Sequence, residues 1–416
     1  MIQKAPGVED IFPDKIDKWN FVQKTAREIF AKYNFKEIIL PIMEYTQVFS
    51  RGLGDETDIV SKEMFTFEDR GGRSLTLRPE GTASTVRAFV ENGEFNRLSL
   101  NKFFYSGPMF RAEKPQRGRL RQFNQIGSEL FGSSDPYYDF EVIAMINDFT
   151  LSVGIENYEI LLNSIGCTNC RKEYIIKLKE YYESKQDLLC QDCRKRLTGN
   201  TLRLLDCKQK PCIELKNNAP LIKDFLDDEC KEHFAKVKQY LQVSNISFTE
   251  EPHLVRGLDY YNKTTFEFVS DDLGGQNTFA AGGRYDSLVE HFGGGPTPAI
   301  GFAAGVERIL LLIENKNIAS KGIDAYIIHS CEEAFNEAMS VLSLLRVNGF
   351  SADFDPSSKS FKSQFKKADR EKAHYAVVIG EDELKSGLLT VKDLSSGEQK
   401  AVGKGDLVEF LGNGRP

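Results

Sequence analysis

FYSGPMFRAEKPQRGRLRQFNQIGSELFG, residues 104–132, decides how this chain is read. It runs from an apolar strand through Arg111 and a basic loop into a second strand with alternating polar residues. With a period of two, Phe123, Gln125, Gly127 and Glu129 share one face of that second strand. An aromatic, an amide and a carboxylate on one face are costly in a core, where unpaired polar groups lose their water. The face therefore reads as either the floor of a polar pocket or a solvated surface.

Upstream, Trp19, Val22, Ile29 and Phe30 recur at helical spacing and predict a helix over 14–33. FKEIILPIMEY (35–45) reads as a strand that Pro41 confines to an edge or a bulge. From Ser74 to Phe131 short apolar runs alternate with turns, predicting antiparallel strands. Downstream, 166–250 turns Lys-rich, Cys-rich and helical, and reads as an insertion. Sheet-like sequence returns at 254–269 and 277–281, and a glycine cluster leads into an apolar helix near Gly305. The predicted organisation is a core in two parts (1–165 and 251–314), the insertion (166–250), a linker (315–322) and a terminal α/β domain (323–416) in which strands and helices alternate.

Composition sets outer limits. At 416 residues the chain exceeds one core, since domains average about 150 residues. No run approaches the roughly 20 apolar residues of a membrane span, and MIQKAPGVED lacks a signal peptide's apolar core, so a cytoplasmic location is expected. A net charge of −7 argues against nonspecific coating of nucleic acid but leaves local patches open. Two exist: Arg171–Lys216 carries twelve Lys/Arg against seven Asp/Glu, and KSFKSQFKKADREK (359–372) six against two. Each is either a solvated helix face or a partner surface.

Cys167-x-x-Cys170 and Cys190-x-x-Cys193 form two knuckles with nineteen residues between them. That spacing fits a closed four-thiolate structural zinc site, with Cys207 and Cys212 as substitute ligands. A redox pair or inert buried thiols are the alternatives. No P-loop consensus occurs, and the glycines at 293–305 do not follow the dinucleotide order. Nucleotide binding would have to rest on arginines at strand ends: Arg111, Arg119, Arg121, Arg256 and Arg308.

The opening stretch resembles motif 2 of the class II aminoacyl-tRNA synthetases. AIGFAAGVERILLL (299–312) resembles their motif 3, and FKEIILPIMEYTQVF (35–49) their motif 1. LVRGLDYY (254–261) and AAGGRYDSL (280–288) resemble the two motifs peculiar to histidyl-tRNA synthetases, and the likeness extends to FKKADREKAHYAVVIGEDEL (365–384). The chain departs from the family's Arg-Gly-Thr turn at Pro6-Gly7-Val8.

The resemblance implies an α+β fold: an antiparallel class II sheet flanked by helices, an inserted helical domain and a C-terminal α/β anticodon-binding domain. It implies ligation of L-histidine to tRNA(His) at the expense of ATP with Mg²⁺, in a homodimer. Arg256 and Arg111 take the catalytic positions. Glu80, Gly81, Thr82, Gln125, Glu129, Tyr260, Tyr261, Gly283 and Arg284 fall at histidine-binding positions. Arg111, Glu113, Arg119, Arg121, Phe123 and Arg308 fall at ATP-binding positions; the resemblance does not assign the Mg²⁺ ligands, for which Glu113 is a candidate. Lys366, Lys367 and Arg370 would face tRNA. A catalytically inactive, histidine-binding regulatory subunit is the alternative.

Overall fold

The computed structural model describes residues 2–54, 57–97, 100–318, 322–330, 332–357 and 360–414. The chain forms two compact units, Met1–Ile318 and Ala319–Pro416. The middle of the expected linker, 319–321, lies outside the described residues, as does Lys359 of the second basic run.

In the first unit the strands are, in chain order, β1 (Lys36–Glu37), β2 (Met43–Tyr45), β3 (Phe65–Glu68), β4 (Ser74–Leu77), β5 (Asn101–Phe110), β6 (Gln122–Phe131), β7 (Glu159–Ser164), β8 (Thr249–Glu250), β9 (Asn262–Val269), β10 (Thr278–Arg284) and β11 (Ala299–Gly305). Eight of them make one sheet in the order β1-β5-β6-β11-β10-β9-β7-β8. Its middle is antiparallel, and only the short edge pairs β1–β5 and β7–β8 are parallel.

One face of this sheet packs on helices Pro13–Lys32 and Pro136–Val153. The first begins with proline at its first turn, where a missing N–H costs nothing. It buries Val22, Ala26, Ile29 and Phe30 on one stripe. The second is capped by Asp135, whose carboxylate accepts from the Tyr137 N–H at 2.8 Å, and ends at left-handed Gly154. Ile126, Leu130, Phe266, Phe268 and Ile300 point from the strands into this core. Their alternation leaves the opposite face of β6 and β9 for the site.

The single strand expected over 35–45 is two. β1 joins the large sheet beside β5, whereas β2 joins a separate three-stranded sheet, β2-β4-β3. Pro41 between them has no N–H to continue a ladder. The strand expected over 254–269 is confined to β9, because 254–261 is the loop that carries the site. β10, conversely, runs three residues beyond the expected 277–281. The 166–250 segment contains helices Thr168–Glu183, Gln191–Thr198, Lys210–Lys216 and Asp228–Val243. It has its own apolar cluster around Tyr174, Leu178, Tyr182, Leu197 and Leu205, yet lies within the first unit.

The second unit has a five-stranded mixed sheet, β13-β12-β14-β15-β16, built from β12 (Ala325–His329), β13 (Ala352–Phe354), β14 (Tyr375–Ile379), β15 (Leu388–Asp393) and β16 (Gln399–Gly403). Helix Glu332–Val347 buries Ala334, Ala338, Val341 and Leu345 against it. No helix among the described residues is long and apolar enough to cross a membrane.

Candidate active site

A cleft of about 400 Å³ opens over the face of the large sheet that the core does not use. β6 contributes Phe123 and Gln125, β9 Glu267, and β10 Thr278, Ala280 and Ala281. The loop before β9 adds Arg256, Tyr260 and Tyr261. The loop after β5 adds Arg111, Glu113 and Arg119, and helix Val306–Leu312 adds Glu307 and Arg308. Residues from four separated stretches of sequence thus meet in one place.

One wall is cationic. Arg111 donates from Nε to the Pro79 carbonyl at 3.0 Å, and its guanidinium lies 5.1 Å over the Phe123 ring. Arg119 bridges Glu113 (2.9 Å) and the Gln276 amide oxygen (2.8 Å). Arg308 is held by the carbonyls of Gly118, Gln276 and Thr278. Burial, and then the like charge of Arg119, lower the Arg308 pKa to about 10. Three guanidiniums pressed together against their mutual repulsion suit a polyanionic ligand.

Arg256 stands across from them, ion-paired through Nη1 to Glu267. Glu267 also accepts from the Thr278 hydroxyl at 2.7 Å. Burial works against the Arg256 charge, but Glu267 outweighs it and holds the pKa above its ordinary value. The Nε of Arg256 is buried without a hydrogen-bond partner among the described residues.

The other end is acidic and phenolic. Glu80 sits at the start of helix Thr82–Glu91 and accepts from the N–H groups of Thr82 (2.6 Å) and Ala83 (2.8 Å). Burial raises its pKa against those bonds. The Gln125 amide oxygen is buried with no partner among the described residues. Tyr260 and Tyr261 are 5% exposed each, their rings 4.6 Å apart.

Glu129 lies beneath this floor, wholly buried. Its carboxylate accepts from Thr82 (2.6 Å), Tyr105 (3.3 Å) and Tyr285. A methyl group on Gly301 would overlap that carboxylate, and one on Gly127 would overlap the Tyr105 ring, so both positions exclude a Cβ. Burial pushes the Glu129 carboxyl up from 4.5 to about 8. A proton held more tightly in the folded state contributes stability fully below pH 4.5 and loses it as pH rises towards 8. The melting temperature of the unliganded wild type is therefore expected to fall from pH 5 to 8.5 more steeply than that of Glu129→Gln. Equal slopes would show that the carboxyl titrates alike in the folded and unfolded chain.

Not every expected residue reaches the cleft. Arg284, expected in the histidine pocket, is 0% exposed and lies within the protein instead. It bonds Asp139 through Nε (3.1 Å) and Nη2, Asp286 at 3.1 Å, and the Ser133 carbonyl at 2.9 Å. As the last residue of β10 it points away from Gly283, which packs under the Tyr261 ring. Gly81 supports the floor from below, against Tyr105. Arg121 does not line the cleft: its backbone N–H donates to Gly7 (2.7 Å) and its Nε to the Glu113 carbonyl (3.3 Å). The two cysteine knuckles do not share one site either. Cys190 and Cys193 converge with Cys207 and Cys212, whereas Cys167 and Cys170 converge with Asp227 and Cys230. Helix Thr168–Glu183 leads away from the first knuckle, whose partners come instead from the start of helix Asp228–Val243.

Glu267, Glu307, Tyr105, Tyr285, Asp206 and Lys208 were missed from sequence. Only Glu267 left a signal: an acid between Phe266 and Phe268 in TTFEFV must face away from the core those two fill.

Comparison with known proteins accounts for this arrangement. A model of the family described as "Histidyl-tRNA synthetase" matches residues 7–309, and one described as "Anticodon binding domain" matches 317–413. The histidine–tRNA ligase of Halothermothrix orenii is 49% identical over 98% of each chain, and that of Bacillus licheniformis 48% over 97% of each. The crystal structure of apo S. aureus histidyl-tRNA synthetase superposes with a TM-score of 0.84 at 37% identity, covering 99% of this chain and all of that one. With near-complete coverage in sequence and in fold, the chain belongs to the histidyl-tRNA synthetase family.

Proposed function

We infer that the chain is a histidine–tRNA ligase of class II. The observation that carries this reading is the single cleft in which Arg111, Arg119, Arg256 and Arg308 face Glu80, Gln125, Tyr260 and Tyr261. In the first step a histidine carboxylate oxygen bonds to the α-phosphorus of ATP, the bond to the bridging oxygen breaks, and pyrophosphate leaves. In the second, the terminal ribose hydroxyl of tRNA attacks the acyl carbon and AMP leaves.

Arg256, with its unpartnered Nε, meets the charge that gathers on the α-phosphate oxygens, and Arg111 holds the same group from the other side. Glu80 and the bare Gln125 oxygen accept from the α-ammonium, assisted by Thr82. Tyr261 offers imidazole a hydroxyl, while Glu129, expected as the acceptor, lies beneath the cleft floor and holds the Thr82 hydroxyl. A site built around buried polar partners rejects analogues lacking them by roughly 10⁴–10⁵-fold. Phe123 and Arg308 flank the adenine. Mg²⁺ accompanies the nucleotide and, when bound, neutralises its phosphates. Glu113, whose Oε2 already accepts from Arg119, is the carboxylate that fits it, since Mg²⁺ commonly takes one or two carboxylates beside phosphate oxygens.

Histidine-dependent ATP–pyrophosphate exchange tests the reading. Exchange with histidine alone among the amino acids is expected, and histidine binding without exchange would instead indicate the regulatory subunit. The relatives, named ligases over the full chain, give that alternative no support.

In the second unit, helix Phe361–Arg370 presents Lys366 and Arg370 to solvent, while Lys367 is ion-paired to Asp355. Lys366→Glu with Arg370→Glu is expected to raise the KM for tRNA severalfold and leave exchange unchanged, as lost phosphate contacts do. An equal fall in exchange would make the patch structural. Charge reversals in the basic run Arg171–Lys216 of the insertion face the same test.

Homodimerisation is supported by an apolar surface around the three-stranded sheet: Ile39 is 95% exposed, and Ile42, Met43, Tyr45 and Phe67 are exposed with it. Ile39→Asp with Met43→Asp is expected to convert a dimer to a monomer in sedimentation equilibrium. An unchanged mass would put the interface elsewhere.

A further inference from the structure

We propose that the 166–250 insertion binds two zinc ions at separate sites, one held by Cys190, Cys193, Cys207 and Cys212 and the other by Cys167, Cys170, Asp227 and Cys230. Within each set all four ligand atoms lie within 4.8 Å of one another. Ligands about 2.3 Å from a tetrahedral ion stand about 3.8 Å apart. The Cys190 and Cys207 sulfurs are 3.8 Å apart, and those of Cys167 and Cys170 are 3.6 Å apart. Neither pair is a disulfide.

Peptide donors supply a second observation. Cys193 N–H points at the Cys190 sulfur (3.5 Å), Cys190 N–H at Cys212 (3.4 Å), Gln209 N–H at Cys207 (3.5 Å) and Asp227 N–H at Cys170 (3.2 Å). Donors aimed at sulfur stabilise thiolates, which are metal ligands, and do little for neutral thiols buried as hydrophobes. The sequence spacing agrees once regrouped: Asp227-x-x-Cys230 is the second half-site for Cys167-x-x-Cys170. The Asp227 side chain caps helix Asp228–Val243 through Oδ1, while Oδ2 lies 3.2 Å from the Cys167 sulfur. Tetrahedral sulfur sites take zinc or iron–sulfur groups, and a carboxylate among three thiolates favours zinc. With four protein ligands each, both sites are closed and structural.

Their position gives them a consequence for the cleft. Cys207 lies between Asp206 and Lys208, which line it. Cys170 precedes Arg171, whose guanidinium donates to the Tyr261 carbonyl at 2.9 Å. The Cys167 site thus fastens part of the insertion to the loop 256–261, and the Cys190 site holds the segment that brings Asp206 and Lys208 to the cleft.

The test is elemental analysis of the full chain, expressed with zinc and purified without chelator. Two zinc per chain are expected, falling to one in Cys212→Ser and in Cys230→Ser and to none in the double variant. No zinc, a single zinc, iron in its place, or a content that neither variant lowers would overturn the proposal. Wild type grown on cobalt provides a measurement independent of how the variants fold: thiolate-to-cobalt charge-transfer and strong tetrahedral bands for two ions are expected, and their absence counts equally against it.

Discussion

Arg256→Ala is expected to lower histidine-dependent ATP–pyrophosphate exchange by about 10²–10³-fold, the usual loss when a preorganised partner of developing charge is removed. That equals about 3–4 kcal/mol of transition-state stabilisation. The loss should fall on kcat, because the carboxylate and α-phosphate carry their greatest shared charge only as the new bond forms. Arg256→Lys should not restore the rate, since an ammonium cannot bond Glu267 and present a second donor in one plane. Glu267→Gln separates the cation from its positioning. It keeps the shape and removes the charged acceptor on Nη1. A bond to a charged group contributes about 1.5–3 kcal/mol, so about 10–100-fold less exchange is expected with histidine affinity retained. If Arg256→Ala raised only the KM for histidine, the guanidinium would be a ligand clamp and the catalytic assignment would fail.

Arg284→Ala is expected to act on stability instead. Removing one partner of a fully buried pair strands the other charge and costs about 3–5 kcal/mol. Here the stranded carboxylate is Asp139, 0% exposed, with His233 3.7 Å away. In the wild type burial lowers the pKa of that imidazole, with the Arg284 charge acting in the same direction and Asp139 against it. A unit of 318 residues shifts its melting temperature by less per kcal/mol than a small domain does, so a fall on the order of 5–10 °C is expected. Below that temperature the KM for histidine should stay within about twofold, a change of about 0.4 kcal/mol. The opposite pattern, an unchanged melting temperature and a large rise in KM, would return Arg284 to the histidine pocket.

The contrast between these two arginines shows how far the sequence can be read. Arg256 and Arg284 both belong to motifs that resemble the same family, and nothing in RGLDYY or GGRYD tells one role from the other. Arg256 sits in a loop, where the chain turns its side chain across the sheet. Arg284 is the last residue of β10, past an irregularity between Gly283 and Arg284 in the pairing with β9. Strand alternation alone would not reveal that shift.

Residues on regular elements were legible. Phe123, Gln125 and Glu129 share a face of β6 because the period of a strand is fixed by covalent geometry, and Ile126 and Leu130 fill the core on the other side for the same reason. The helix Pro13–Lys32 followed from apolar spacing, and an irregularity at Pro41 from a missing donor, although its result, two strands in two different sheets, did not.

Partnerships across the chain were not legible, because they depend on distances that no local pattern encodes. Glu267 reaches Arg256 only because β9 runs beside the loop that precedes it. Lys208 and Asp206 reach the cleft only because the insertion folds back over it. The cysteines make the point most plainly. Their types and C-x-x-C spacing announced metal chemistry, but the spacing is satisfied equally by one shared site or by two separate ones. Sequence determined which groups this protein has and which face of each strand they occupy, through stereochemistry acting over a few residues. Tertiary packing alone decided which of those groups meet, since contacts between distant segments are set by how whole elements bury their apolar faces.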